Sequence, residues 1–468
     1  MKVFTQIRKA ISLGVMLSVT GMAVAQPKYV FYFIGDGMGI NEVTNAQVYN
    51  KNVLKNDKPL LMTTFPVISM AMSYSSNSDV TDSAAAGTAL ATGHKTKNGM
   101  LGMAPDTTAV TSIAKMLFDD GYGIGLVTSV AIDDATPGAF YTHVANRNQF
   151  YDTGRMLAES GYQFAAGAAL RGTKDADGKD NGLMDYFAEN GVSVSYGLDG
   201  IDTKAERLLV LSPFHEKNNN CIGYTIDSIP GALTLPALTR AGLDHLKRVS
   251  PDRFFMMVEG GNIDHAGHGN DGGTSVREVI NFNEAIQVAY DFYLEHPDET
   301  LIVVTADHET GGMSVGCAAT GYSVQAHNVS GQTMSKEAFN DFCRDFYKAG
   351  HDNPWEDMEE ALRSKLGFWN IVKLNPDEEE RLRDKFEDVF VRNENDEKKT
   401  LYASYNGFVT FVYDMLNYKS GFGWTTGSHT GSPVPVYAVG ADAMLFTNPV
   451  DNTELPKLIM KSLGKELK

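Results

Sequence analysis

Short apolar runs alternate with longer amphipathic segments along this chain. Tyr29 to Ile34 (YVFYFI), Ile124 to Thr128, Phe254 to Val258 (FFMMV) and Leu301 to Thr305 (LIVVT) are mostly apolar and only five or six residues long. Runs of that length and composition predict strands covered on both faces, as in a parallel sheet. Between the third and fourth runs, Val279, Phe282, Ile286, Ala289 and Tyr293 recur at steps of three and four before His296-Pro297 ends the segment. That spacing predicts an amphipathic helix. Strand alternating with helix predicts an α/β fold, with a doubly wound, mostly parallel sheet flanked by helices.

In such sheets, function gathers beyond the carboxyl ends of the strands. Here each run ends in polar residues: Asp36 after the first, Asp133 and Asp134 after the second, Glu259 at the third, Asp307-His308 at the fourth. From about 318 to 420 the pattern changes to charge-rich amphipathic helices, with Phe339, Phe342, Cys343 and Phe346 behind a Ser335 cap. A second helix start stands at Asn375-Pro376 ahead of Asp377 to Glu380. Pro435 to Gly440 then reads as a strand again. The stretch is therefore expected to be a helical insertion in one catalytic domain over residues 26–468. Its acidic runs read as solvated faces, with a lid over the site as the functional alternative.

The first 25 residues change the expected location. Lys2, Arg8 and Lys9 precede an apolar stretch from Ala10 to Met22 that ends in Ala23-Val24-Ala25, the pattern of a signal peptide, so a periplasmic or secreted protein is expected. No later segment offers about 18 consecutive apolar residues, so no membrane span is expected. A formal charge of -18 argues against nucleic acid or an anionic membrane as partner. Three cysteines, Cys221, Cys317 and Cys343, allow at most one disulfide and lack metal-ligand spacing.

Candidate chemistry begins at Asp82-Ser83-Ala84-Ala85-Ala86-Gly87, where a serine stands before a small-residue helix expected to stop near Gly93. A helix N-terminus presents unpaired N–H groups and a positive dipole end, which suits a phosphate. Ser83 also fits a plain N-cap. As a nucleophile it would need a base or a metal to take its proton. Glu259-Gly-Gly-Asn-Ile-Asp264-His265-Ala-Gly-His268 offers two carboxylates and two imidazoles in ten residues. Asp264 and His268, four apart, face one way on a helical turn and could chelate one ion. Asp307-His308 at a strand end and His429 in a glycine-rich loop add further ligand types.

Together these residues resemble the alkaline phosphatase family, through Gly35-Asp36-Gly37-Met38-Gly39, Asp82-Ser83-Ala84, Lys95 to Gly99, Asp134-Ala135-Thr136-Pro137 with Arg147, Glu259 to His268, Thr305 to His308, and His429. The match runs in order through most of the chain apart from the insertion. The resemblance implies hydrolysis of small-molecule phosphate monoesters through a phosphoserine at Ser83. It implies two zinc ions and one magnesium ion per chain. The first zinc would be held by Asp264, His268 and His429, the second by Asp36, Asp307 and His308 with Ser83. The magnesium would be held by Asp36, Thr136 and Glu259. Arg147 matches the family's phosphate-binding arginine, with Asp82 aiming it. Asp134 and His265 occupy supporting positions in a mixed combination, since Asp134 looks like the bacterial pattern and His265 stands where many bacterial members have lysine. Members are commonly dimers, so a homodimer is expected.

Charge arithmetic agrees with a doubly negative substrate: about six positive charges from three ions, less four carboxylates, plus Arg147, leaves a surplus near three. A site built around phosphate should tolerate many leaving groups. Two other readings compete with this one. A phosphodiesterase or sulfatase of the same superfamily is disfavoured by Glu259 and Arg147 and by the absence of a sulfatase nucleophile motif. A scavenging phosphate- or metal-binding protein is disfavoured by the intact Ser83.

Overall fold

Residues 26–216 and 220–467 are described by a computed structural model, so the leader expected over residues 1–25 lies outside the described residues. One sheet holds β1 (Tyr29–Ile34), β2 (Val67–Met72), β3 (Gly123–Thr128), β4 (Phe164–Gly167), β5 (Ser193–Tyr196), β6 (Leu208–Leu211), β7 (Phe254–Glu259), β8 (Thr300–Thr305), β9 (Val434–Gly440) and β10 (Val450–Asp451). Their order across the sheet is β10-β2-β9-β8-β1-β7-β3-β4-β6-β5. The four apolar runs are the parallel strands β1, β3, β7 and β8. The fifth expected strand, β9, lies antiparallel to both β8 and β2. The chain reaches β9 from the carboxyl edge, where His429 and Thr430 pair with Thr310 and Glu309, so it must descend through the sheet.

All six residues of β1 are buried, because both faces are covered. Phe33 meets Phe282 of the helix Gly272–Glu295 edge-on at 5.9 Å, while Tyr32 on the other face meets Phe140 at 6.4 Å. That double burial is why the strands read as continuous apolar runs rather than alternating ones. Register then aligns their ends: Ile34 is level with Glu259 and with Thr305, and Thr128 is level with Glu259. Asp36, Asp134, Glu259 and Asp307 therefore emerge along one edge.

Between β8 and β9 come four helices: Lys336–Ala349, Pro354–Leu366, Pro376–Phe386 and Gly407–Ser420. Ser335 caps the first by accepting from Ala338 N, and Asn375 forms a capping box with Glu378 at the third. A two-residue ladder, Lys398–Lys399 against Ser404–Tyr405, projects from this group. The buried Lys336 Nζ donates to Gly269 O at 2.9 Å, tying the group to the end of the helix Asn262–Gly269. No two of Cys221, Cys317 and Cys343 are bridged. Among the described residues no helix is long and apolar enough to cross a membrane.

We label as α1 the helix Ser83–Thr92 and as α2 the short helix Ala135–Gly138. They touch through Gly87, where a Cβ would lie 3.2 Å from Thr136 Cα and 3.3 Å from Ala139 Cβ. A larger side chain there must push Ser83 and Thr136 apart. Gly87→Val is expected to cost about 1–3 kcal/mol in denaturant unfolding and to lower activity with it. Unchanged stability and activity would show that the approach is not constrained.

Candidate active site

Ser83 is buried and stands as the first residue of α1, and Asp82, not Ser83, is the N-cap. One Asp82 oxygen accepts from Ala85 N at 2.9 Å and the other from Gly99 N at 2.9 Å. The serine hydroxyl is thus released from capping and sits 3.2 Å from His308 Nε2.

Asp36 leaves β1, Glu259 ends β7 and Asp307-His308 leaves β8, so the flush register brings them together. His308 Nε2 is 3.1 Å from an Asp307 oxygen and 3.5 Å from Asp36 Oδ1. The helix Asn262–Gly269 carries Asp264 and His268 on one face, with His268 Nε2 3.5 Å from Asp264 Oδ2. His429 Nε2 comes within 3.1 Å of His268 Nε2 and 3.6 Å of Asp264 Oδ1. His308 lies between the groups, stacked on His429 with centroids 3.6 Å apart. Asp264, His308 and His429 form one candidate ligand triad, and Asp36, Asp307 and His308 another.

Do these residues fit metal ions? His268 Nδ1 faces Gly427 O at 2.7 Å and His429 Nδ1 faces Thr81 O at 2.9 Å. A carbonyl only accepts, so both Nδ1 atoms carry protons and, in the neutral rings, both Nε2 atoms present lone pairs to each other. A cation satisfies that arrangement. Asp36 Oδ1, Asp264 Oδ2, Asp307 Oδ2 and Thr136 Oγ1 are buried without hydrogen-bond partners, although groups so placed normally have one. Imidazole and carboxylate together suit zinc, and the all-oxygen set of Asp36, Thr136 and Glu259 suits magnesium.

Electrostatics point the same way. Burial lifts Asp36 well above the usual carboxylate range, and the neighbouring Asp307 and Asp264 add to it. Glu259 is pushed up to about 8, chiefly by burial, even though it accepts from Thr128 Oγ1. Asp307 rises to about 7 through burial and Asp264. Burial, with His429 next, drives His308 well below the usual imidazole range, so it stays neutral.

Beside this cluster lies a positive frame. Arg147 reaches Asp134 Oδ1 at 3.0 Å and Asp82 Oδ2 at 3.5 Å. Arg171, which the strand pattern did not single out, holds the other Asp134 oxygen at 2.7 Å. Burial would raise Asp134, but the Arg171 and Arg147 guanidiniums outweigh it and hold the carboxyl below its ordinary range. His265 packs against Tyr402, ring centroids 3.8 Å apart and the planes tilted by 36°. Tyr402 comes from the loop of the projecting ladder and was also missed; Arg171 at least follows a short apolar run, Phe164–Gly167. All the expected site residues thus gather at one edge of the sheet. A cavity of about 520 Å³ opens onto His268 and His429.

The family model described as alkaline phosphatase matches residues 27–166 and 161–465. Alkaline phosphatase 3 of Bacillus subtilis (strain 168) is 28% identical over 94% of this chain and 90% of its own. The repressible alkaline phosphatase of Saccharomyces cerevisiae is 30% identical over 91% of this chain and 78% of its own. The crystal structure of a cold-active alkaline phosphatase from a psychrophilic Shewanella superposes with a TM-score of 0.77 at 28% identity, covering 93% of this chain and 99% of the other.

Raised carboxyl pKa values carry a stability consequence. Between the ordinary values near 4 and the folded values near 7 and 8, the folded protein holds protons that the unfolded chain has released. This stabilisation is fully present below the unfolded values and is lost as pH rises through the folded ones, at about 1 kcal/mol per pH unit and group. Bound cations would take the place of those protons. The difference in Tm between metal-loaded and chelator-treated protein is therefore expected to widen from about pH 5 to about pH 8. A constant difference would contradict this account.

Proposed function

The chain belongs to the alkaline phosphatase family and is a phosphatase, and on that premise we propose that it hydrolyses phosphate monoesters through a phosphoserine formed on Ser83. The observation that carries the reading is the released Ser83 hydroxyl, 3.2 Å from His308 Nε2 at the start of α1.

In this reading one zinc would be held by Asp264, His268 and His429, and a second by Asp36, Asp307 and His308 with Ser83. A magnesium ion would be held by Asp36, Thr136 and Glu259. Bound, these ions would lower the pKa of a hydroxyl and neutralise charge developing on phosphate oxygens. The protein's own groups do the rest. Arg147, fixed by Asp82 and Asp134, offers its planar fork to two phosphate oxygens. The first turn of α1 adds unpaired N–H groups and the helix dipole. Ser83 Oγ attacks phosphorus in line and the alcohol departs. Water then enters opposite the serine oxygen, so two inversions give net retention at phosphorus.

Asp134 is shared by Arg147 and Arg171, which keeps one guanidinium braced from behind while it binds. His265, pressed on Tyr402, supports the same edge. The segment 1–25 supports export to the periplasm or beyond, and a homodimer follows the family's habit.

Release of p-nitrophenol from its phosphate tests the reading. Ser83→Ala is expected to lower kcat/KM by roughly 1,000-fold or more, and a chelator to abolish turnover until zinc and magnesium are restored. Activity indifferent to both would sink the mechanism. Arg147→Ala should weaken inhibition by inorganic phosphate by about 10- to 100-fold, read as a raised Ki; an unchanged Ki would remove Arg147 from the phosphate site.

A further inference from the structure

The cavity over His268 and His429 has one wall that the catalytic elements do not supply. It is built by residues 398–401, the first strand and turn of the ladder that projects from between β8 and β9. Lys398 and Lys399, consecutive in the strand, both contribute to that wall. Lys398 Nζ donates to the neutral amide oxygen of Asn270 at 3.3 Å, a contact that leaves its charge uncompensated. Among the described residues neither lysine enters an ion pair. Elsewhere in the same insertion, Lys385 pairs with Asp396 and Lys419 with Glu378. The one carboxylate lining the cavity, Asp82, is already committed to Ala85 N, Gly99 N and Arg147.

Two lysines without ion pairs among the residues that line one cavity are conspicuous in a chain of net charge -18. Such a chain repels anions at long range, so the local reversal of sign acts where a substrate enters. The scissile phosphate belongs deeper, with Ser83 and Arg147. The lysines are thus placed to meet the leaving group. A cavity of about 520 Å³ has room for a sugar or nucleoside between the two positions.

We propose that Lys398 and Lys399 form a second anion subsite, which makes small bisphosphates, in which the leaving group carries a further phosphate, the preferred monoesters of this enzyme. The inference rests on the phosphatase reading of Ser83. It refines the expectation of broad tolerance: the inner groups recognise phosphate alone, and the rim ranks the leaving groups by charge. Partial exposure limits each ammonium to a modest effect, and two together give a readable one.

The test is phosphate release from adenosine 3′,5′-bisphosphate and from adenosine 5′-monophosphate by the metal-loaded, full-length mature protein. The unaltered protein is expected to show the higher kcat/KM on the bisphosphate. Lys398→Ala with Lys399→Ala should lower the ratio of the two kcat/KM values by about fivefold, mainly through KM on the bisphosphate. Lys398→Arg with Lys399→Arg should keep the ratio, and added salt should compress it in the unaltered protein. A ratio no greater than one at the outset, or one that the alanine pair leaves in place, overturns the proposal.

A binding arm separates this from failure of the function itself. On a Ser83→Ala background, calorimetric titration with adenosine 3′,5′-bisphosphate should show affinity falling by a similar factor when both lysines become alanine. Loss of that difference overturns the subsite even if p-nitrophenyl phosphate is turned over; conversely, a protein inert to p-nitrophenyl phosphate that still shows the difference keeps the subsite and loses the phosphatase mechanism.

Discussion

Carboxylates crowded at the buried edge of a sheet cannot all ionise unless positive charge joins them. Asp36, Glu259, Asp264 and Asp307 are all but fully buried, and burial with mutual repulsion lifts the first, second and fourth of these far above ordinary acidity. Imidazoles alone do not relieve the crowding, since His308 and His429 are driven toward the neutral form by the same burial. Divalent cations would answer the imbalance, and the unpartnered oxygens and facing Nε2 atoms fit them. Much else at this edge can be understood as support for that cluster: the flush register of β1, β7 and β8, the carbonyls that orient His268 and His429, and the close approach of α1 and α2 at Gly87.

The proposed phosphate-binding group, Arg147, sits in the opposite balance of charge. Asp134 sits between Arg147 and Arg171 and remains ionised where Asp36 and Glu259 resist ionisation, because two guanidiniums offset its burial. Asp82 links the two halves of the site. By capping α1 it frees the serine hydroxyl from that duty, and its second oxygen faces Arg147. A single carboxylate thereby relates the proposed nucleophile to the group proposed to hold its target.

The chain between β8 and β9 also has a part in the site. Lys336 ties it to the end of the helix bearing Asp264 and His268, Tyr402 covers His265, and Lys398 and Lys399 help line the cavity over His268 and His429. Residues 326–420 outside that contact are largely helix built on caps and aromatic packing, such as Phe346 against Phe386 and Phe390. One side of the cavity over His268 and His429 is therefore made by a segment that shares no strand with the sheet.

Local pattern determined five of the sheet's ten strands (β1, β3, β7, β8 and β9), the caps at Ser335 and Asn375, and the helix spacing of Asp264 and His268, because each depends on residues within a few positions of one another. It did not single out the short β4, β5, β6 and β10 or the half-exposed β2. The family likeness added the roles expected of Asp36, Thr136, Arg147 and His429, which local pattern could not assign. Tertiary structure decided the rest. That β9 runs against its neighbours follows from where the chain re-enters the sheet, and that Asp82 rather than Ser83 caps α1 follows from Gly99 and Arg147 converging on its second oxygen. Nothing local marks Arg171 and Tyr402, because an arginine in a loop and a tyrosine in a turn look ordinary until folding sets the first 2.7 Å from Asp134, 37 residues away in sequence, and the second against His265. Short-range preferences can be read along a chain, whereas encounters between distant segments exist only once burial has selected one packing among many.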